Sequence, residues 1–409
     1  MIVSPPPSSP SITGMLSPGR DEVPGVVRAL YEEGTPWLPA GLASRLNWGP
    51  PLNRPHRVLS VAALDRILEH NPGDFTITVE AGASLEAVQA ALAAEGQWLA
   101  LDPPWGTGSL GGGSIGGLVA RGMAGGYHQR YLGVRDQIIG IGLLRSDGVA
   151  ARAGGKVVKN VAGYDLMRLF CGSWGSLGLI TDVTLRTLPL PPQRRGLLVQ
   201  GPLAELACLA RWLLGSSLSP ERIDWWSAEL AAAAGLAAEP LLLIGLASVQ
   251  ATTLEEQIVC IAGHTDRAAL RLEPEELERL LGEARGGAAG LAQEGWLLRV
   301  GVTPDRVDRV LAAPAWGSLL ASIAAGSGLG LAWSPAQAAI TPEAIQQLRQ
   351  CCQELGGHLT VLRQPDPSSL PAWNDAPSRP LIEAVKRQFD PLNQLAPGRL
   401  PGVHTASTR

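Results

Sequence analysis

The chain has 409 residues, long enough for two units that each bury a core. Its formal net charge of −4, from 33 basic and 37 acidic residues, argues against nucleic acid as a main partner. With 45% hydrophobic and only 17% charged residues it reads as a soluble globular protein, its twelve tryptophans serving as core or subunit-contact residues.

Residues 1–22, rich in proline and serine, lack the charged-then-apolar pattern of an export signal and read as a mobile tail. Order is expected from Val23. A strand at Val58–Ser60 precedes a helix predicted over Ala62–His70, closed by Asn71-Pro72-Gly73. Phe75, Ile77 and Val79 alternate with Thr76, Thr78 and Glu80, the signature of a half-buried strand. Ser84 is placed to cap a helix whose Leu85, Val88, Ala91 and Leu92 share a face, and Gly96 to stop it. A strand Trp98–Leu101 leads through two prolines into a glycine-rich loop. Ile138–Leu144 and Val149–Ala153 flank Ser146-Asp147-Gly148 as a hairpin. Alternating αβ units and hairpins indicate an α+β domain, not a doubly wound sheet.

After Pro192 the glycine loops give way to leucine-rich strands alternating with helices such as Pro274–Ala284, which reads as a second, smaller α+β domain over 193–375 on the substrate or partner side. The uncharged run Val310–Ile340 is long enough to span a bilayer, yet its prolines and glycines favour buried strands and turns. Cys171, Cys208, Cys260, Cys351 and Cys352 include no CxxC and lack the spacing of a zinc or iron–sulfur site; their odd count fits a reducing, cytoplasmic setting.

Glycines cluster in three places, and each cluster needs either positive-φ turns or a ligand packed on bare backbone. The first is Pro39-Ala40-Gly41-Leu42-Ala43-Ser44; the second runs from Ser114-Ile115-Gly116-Gly117 through Ala120 to Gly125; the third contains Gly172, Gly175, Gly178 and Ile180. Their order, with the run GYDLMRLFCGSWGSLGLIT, resembles the FAD-binding domain of PCMH-type flavoproteins in the vanillyl-alcohol oxidase group, over about 40 to 190. The resemblance implies an FAD domain of two α+β subdomains over 23–192. In it the diphosphate lies on backbone N–H nests, and Gly178 and Ile180 contact the adenosine half. Pro39, Gly41, Ala43, Ser44, Ser114, Ile115, Gly116, Gly117, Ala120, Gly125, Gly172, Gly175, Gly178 and Ile180 are the implied cofactor-binding residues. Two positions depart from the family pattern: Ala43 stands where a second glycine is usual, and Trp174 where an acid is usual. The first loop holds no histidine, so noncovalent FAD is expected, with His56 a surface residue. A second pattern, Gly106-Thr107-Gly108-Ser109-Leu110-Gly111, fits GxGxxG but does not follow a strand and reads as an elongated loop.

Arg135, Lys156, Lys159, Arg363 and Arg399 lie in or near these segments, where positive charge would favour a reduced flavin, although any single one of them reads first as a solvent-exposed basic residue. Asn160, Tyr164 and Asp165 read as scaffold before a short helix ending at Phe170. His264 and His358 are isolated in the second domain, so no catalytic residue or metal site is assigned; His358 reads as a packed strand residue.

KNVAGYDLMRLF, GGHLTVLR and the short second domain resemble the smaller FAD-binding subunit of glycolate oxidase, and 376–409 resembles the segment that returns to the FAD domain. This implies an oxidoreductase taking glycolate, a small 2-hydroxy acid, to glyoxylate beside a larger FAD subunit and an iron–sulfur subunit, with peripheral membrane association through those partners. A stand-alone FAD-dependent 2-hydroxyacid dehydrogenase and a noncatalytic scaffold remain open alternatives.

Overall fold

The structure, a computed structural model, describes residues 12–52, 54–107, 111–123, 125–155, 165–286, 295–335, 339–365 and 368–404. Lys156, Lys159, Asn160, Tyr164 and the centre of the GxGxxG loop, including Gly108, lie outside the described residues.

The first half carries strands β1 (Ile12–Leu16), β2 (Trp37–Ala40), β3 (His56–Ser60), β4 (Ile67–Asn71), β5 (Thr76–Glu80), β6 (Gln97–Trp98), β7 (Ile138–Leu144), β8 (Ala150–Gly154) and β9 (Leu179–Arg186). Its main helices are α1 (Val23–Glu32), α2 (Leu85–Ala93) and α3 (Ile115–Arg121). β1, β3 and β2 form a small parallel sheet; β4, β5, β9, β7 and β8, in that order, form an antiparallel one. One core joins them: Val27 and Leu30 of α1, Val88 and Leu92 of α2 and Ile115 and Val119 of α3 pack with Ile77, Val79, Ile141 and Val183 of the sheet. Ser84 caps α2 as its position predicts, its Oγ accepting from Ala87 N at 3.1 Å, and Gly96 takes φ +65° after the helix.

The helix expected over 62–70 is instead a turn followed by β4, whose pairing with β5 completes the sheet edge. Tertiary pairing outweighs the local helical pattern there. β5 is buried on both faces, not half-buried, and Phe75 lies outside it, exposed, at φ +53°. The strand expected over 98–101 is confined to β6.

The second half is built on the larger sheet, eight antiparallel strands: β11 (Gln193–Gln200), β12 (Arg222–Trp226), β13 (Leu241–Ser248), β14 (Ala269–Leu272), β15 (Leu297–Gly301), β16 (Leu320–Ala324), β17 (Leu329–Trp333) and β18 (His358–Arg363). Their spatial order is β14-β11-β13-β12-β16-β17-β15-β18, while β10 (Leu188–Pro189) pairs with β6. The leucine runs have a simple cause. Alternate side chains point to opposite faces, and both faces are covered. In β13, Leu242, Ile244 and Leu246 enter the core under the helices Leu203–Gly215, Ala251–Ala262 and Pro342–Glu354; Leu241 and Leu243 enter the core on the other face. Trp48 and Trp174 of the first half join that second core. The apolar run after Val310 folds as the β16–β17 hairpin, and among the described residues no helix is long and apolar enough to cross a membrane. His358 opens β18, exposed along one side with its ring against Gly301 of β15.

Two further ties matter. Arg222 of β12 reaches across to Asp102 at 3.2 Å while its Nε donates to Asp224 at 2.7 Å, and Asp102 also accepts from Gly126 N at 2.9 Å. The chain end returns to the first half: Leu395 bridges Trp37 in parallel, and Ala396 N donates to Trp37 O at 2.8 Å. The helix Arg379–Phe389 buries Lys386, whose Nζ donates to Ser176 O at 2.7 Å, to Leu395 O at 2.8 Å and to the Asp390 carboxylate.

Lys386→Met should therefore leave Asp390 buried without its counter-charge. Removing one partner of a buried pair costs about 3–5 kcal/mol. Urea unfolding should show a loss of that order, and a loss below about 1 kcal/mol would mean that Asp390 finds another partner.

Candidate functional site

Three loops and the returning chain end line a single cleft. Pro39, Gly41, Ala43 and Ser44 line it from the first loop, Ser114, Gly116, Gly117 and Ala120 from the second, Gly175, Gly178 and Ile180 from the third, and Arg399 from the end.

The first loop leaves β2 at Ala40 and lies directly on the second: a Cβ on Gly41 would sit 2.0 Å from Ser114 Oγ, so only glycine fits. Ala43 adopts φ +59°, the left-handed conformation that the usual glycine would take, at a cost of about 1 kcal/mol. Among the described residues the N–H groups of Leu42, Ala43 and Ser44 donate to no acceptor. Successive free N–H groups around a left-handed residue form an anion nest.

In the second loop most donors turn inward. Ile115 N donates to Ala83 O at 2.9 Å, Gly116 N to Ala81 O at 2.8 Å and Gly117 N to the Ser114 cap at 3.2 Å. Gly116 is required by packing, since its Cβ would lie 2.6 Å from that of Ala81; at Gly117 a Cβ would meet only Ser114 Oγ, at 3.0 Å. The second loop thus offers close approach in place of free donors. The third loop is tied to α3 by Gly172 N to Val119 O and Trp174 N to Ala120 O, at 3.0 and 2.8 Å.

The cleft's described lining holds no histidine, cysteine or acid; its only ionisable side chains are Arg45, Arg121 and Arg399. Arg45 and Arg399 are 7% and 4% exposed, and neither they nor Arg121 makes an ion pair with a described carboxylate. Backbone oxygens hold them instead. Arg45 donates to Gly111 O at 2.9 Å, Arg121 to Trp48 O and Arg45 O at 3.0 and 2.8 Å, and Arg399 to Pro50 O and Leu46 O at 2.7 and 2.9 Å. Arg121 stacks 4.0 Å over Trp174. Arg45 Nε and Arg399 Nη1 are buried with no partner. Burial pushes Arg45 and Arg399 down to about 10; burial, then the charges of Arg399 and Arg45, push Arg121 well below its usual value.

Of the implied site residues, three do not reach the cleft. Ile115 is core, Gly172 lies off the lining at φ +81°, and Gly125 packs against Asp102, where a Cβ would lie 2.2 Å from Oδ1. Of the cations named near the flavin, Arg399 is in the lining, while Arg363 donates to Gly295 O at 3.2 Å and neither it nor Arg135 lines the cleft. His56 is buried, not a surface residue, with Nδ1 3.1 Å from Arg54 O. Arg45 and Arg121 were not singled out from the sequence. Their signal was position: one directly follows the first glycine loop and the other ends the helix that the second loop opens.

Residues 19–154 match the family model described as FAD binding domain. The chain is 34% identical over 186 residues to glycolate oxidase subunit GlcE of Escherichia coli, covering 44% of this chain and 51% of that protein. It is 32% identical over 178 residues to subunit GlcD of Bacillus subtilis, covering 44% and 37%, and 32% identical over 195 residues to D-2-hydroxyglutarate dehydrogenase of Xanthomonas citri, covering 47% and 40%. These alignments span about half or less of each relative. A solved alkyldihydroxyacetonephosphate synthase superposes with a TM-score of 0.66 at 16% identity, covering 94% of this chain and 76% of that one, which shows a shared fold. The chain is α+β, carries an FAD-binding domain and resembles glycolate oxidase subunits.

The residues fit that cofactor: a nest of free N–H groups, a glycine whose missing side chain opens the cleft, and buried guanidinium N–H groups awaiting an acceptor all suit a diphosphate. Gly117→Val should place its side chain in this space and abolish flavin retention while the protein stays folded, because the backbone there is helical. Gly116→Val should instead unfold the protein against Ala81. Flavin absorbance and circular dichroism together separate the two; full flavin content in folded Gly117→Val would place the cofactor elsewhere.

Proposed function

We propose that this chain is an FAD-binding subunit of a 2-hydroxyacid oxidoreductase of glycolate oxidase type, working beside a larger FAD subunit and an iron–sulfur subunit. The observation that carries the reading is the cleft in which two glycine loops, the third loop and Arg399 meet around a surplus of positive charge. Noncovalent binding is favoured because the described lining holds neither histidine nor cysteine to form a link to the flavin.

When bound, FAD supplies a two-electron acceptor for the oxidation of a hydroxy acid such as glycolate to its keto or aldehyde acid. The residues of this chain hold and orient. The nest of Leu42, Ala43 and Ser44 and the three guanidiniums bind negative charge, while Gly117 lets the ligand approach the backbone. Proton removal from the substrate hydroxyl needs a base, and the described lining holds no carboxylate, histidine or cysteine to serve as one. With no such group in the described lining, we assign the base to a partner subunit, and with it the efficient turnover of substrate. Placement at the inner face of a membrane would likewise come through partners.

Purified chain should be yellow, and acid precipitation should release the chromophore into the supernatant. Glycolate should bleach the isolated chain's flavin slowly, about a hundredfold or more below the rate in the assembled complex, which is the scale of a missing general base. Fast stoichiometric bleaching of the isolated chain would favour a stand-alone dehydrogenase, and flavin left on the denatured polypeptide would refute noncovalent binding.

A further inference from the structure

We infer that Arg45, Arg121 and Arg399 form a cationic clamp for the diphosphate of a dinucleotide, acting with the free N–H groups of the first loop. The inference rests on the reading that the cleft takes FAD, and adds which side chains hold it and through which part of the ligand.

Three observations converge. First, charge is unbalanced: three arginines line one cleft whose described lining contains no carboxylate. The acid that acts on Arg45 is Glu86, and its carboxylate is engaged by Gly112 N at 3.0 Å. Like charges in a low-dielectric site repel strongly unless an anion enters. Second, donors are unspent: Arg399 Nη1 and Arg45 Nε are buried without partners, although native proteins satisfy nearly all such groups. Third, an aromatic ring and not an acid meets Arg121, that of Trp174. Its ring lies under Arg121 at 4.0 Å, supporting the cation without neutralising it.

The ligand's chemistry follows from charge and place. A diphosphate diester carries two negative charges and several acceptor oxygens, which matches clustered guanidiniums better than a single carboxylate does. The nest of Leu42, Ala43 and Ser44 opens on the same cleft, and nests of this kind bind phosphate oxygens. The eight-stranded sheet contributes nothing to the lining, so a substrate held by that sheet is not what these arginines face. The clamp also draws in the chain end, because Arg399 bonds the carbonyls of Leu46 and Pro50 just beyond the first loop.

The test uses the full apo-chain and compares affinities for FAD, ADP and riboflavin, with thermal shift by inorganic pyrophosphate as a ligand-independent check. Arg399→Gln and Arg121→Gln should each weaken FAD and ADP by about tenfold to a hundredfold, the worth of charged hydrogen bonds, and leave riboflavin unchanged. Arg121→Lys should recover part of the loss, and ADP affinity should fall with added salt. Unchanged FAD and ADP affinity in both glutamine variants would overturn the clamp while leaving FAD binding intact. A parallel loss of riboflavin would overturn it too, by marking general damage to the cleft. Weakening confined to reduced FAD would assign the charge to the flavin ring and overturn the diphosphate assignment. If the wild-type chain binds no FAD, the cofactor reading fails separately; pyrophosphate stabilisation lost in Arg399→Gln would still support the clamp, and its absence in wild type would overturn it.

Discussion

Burying three guanidiniums side by side without a carboxylate is the constraint around which the cleft is organised. Desolvation acts against the charged form of all three, and Arg399 and Arg45 in addition oppose the charge of Arg121. Backbone carbonyls offset part of this cost. Arg121 and Arg399 together engage the carbonyls of Arg45, Leu46, Trp48 and Pro50, so the segment after the first glycine loop is gripped from its carbonyl side. The N–H groups of Leu42, Ala43 and Ser44, which line the cleft just before that segment, donate to no described acceptor.

The same segment joins the two halves. Gly49 N–H donates to the Leu362 carbonyl of β18, and at φ +91° a Cβ on Gly49 would lie 2.1 Å from the Trp174 ring. Trp48 and Trp174 sit in the core shared with the eight-stranded sheet. On the other side of the junction, Arg222 stands between Asp102 and Asp224; burial opposes its charge, yet the two carboxylates outweigh that and hold it protonated. A buried pair of this kind adds little net stability compared with an apolar contact, but it resists being pulled apart, because separation strands charge. The junction thus combines an apolar seam beside the cleft with a polar lock, and the sheet is held firmly over the first half without lining its site.

Much of the fold was legible because local rules and tertiary pairing agreed. Ser84 and Gly96 bracket α2, Gly148 turns the β7–β8 hairpin at φ +77°, and Pro274–Ala284 is a helix with its proline in the first turn. They disagreed at 62–70, where a helical spacing of apolar residues became β4 because β5 offered an edge to pair with. At the site, the glycine positions could be read from sequence, but their reasons differ. Gly41 and Gly116 are demanded by packing on Ser114 and Ala81, whereas at Gly117 a Cβ would meet only Ser114 Oγ. Arg45 and Arg121 stayed hidden because no spacing rule links residues that approach only in three dimensions. An arginine in sequence looks like a solvated surface charge until burial and the lack of an acid are seen together.

Ala43 and Trp174, the two departures from the family pattern, have opposite physical meanings. Ala43 keeps the left-handed backbone of the glycine it replaces, so the loop's path is preserved and a small strain is carried in the nest itself. Strain of this kind persists where surrounding structure over-determines it, here by Gly41 on Ser114 and by the carbonyl grip beyond the loop. Trp174 also adopts positive φ, at +57°, but changes the chemistry: an acid there would sit against Arg121 and cancel its charge, whereas an indole binds the guanidinium through its face and leaves the charge in place. Both residues thus leave the turn of the first loop and the positive charge of Arg121 in place. The chain has placed no group in the described lining that could take a substrate proton. A cleft lined by three arginines, with no histidine, cysteine or acid in its described lining, is suited to hold an anionic group and not to take a proton.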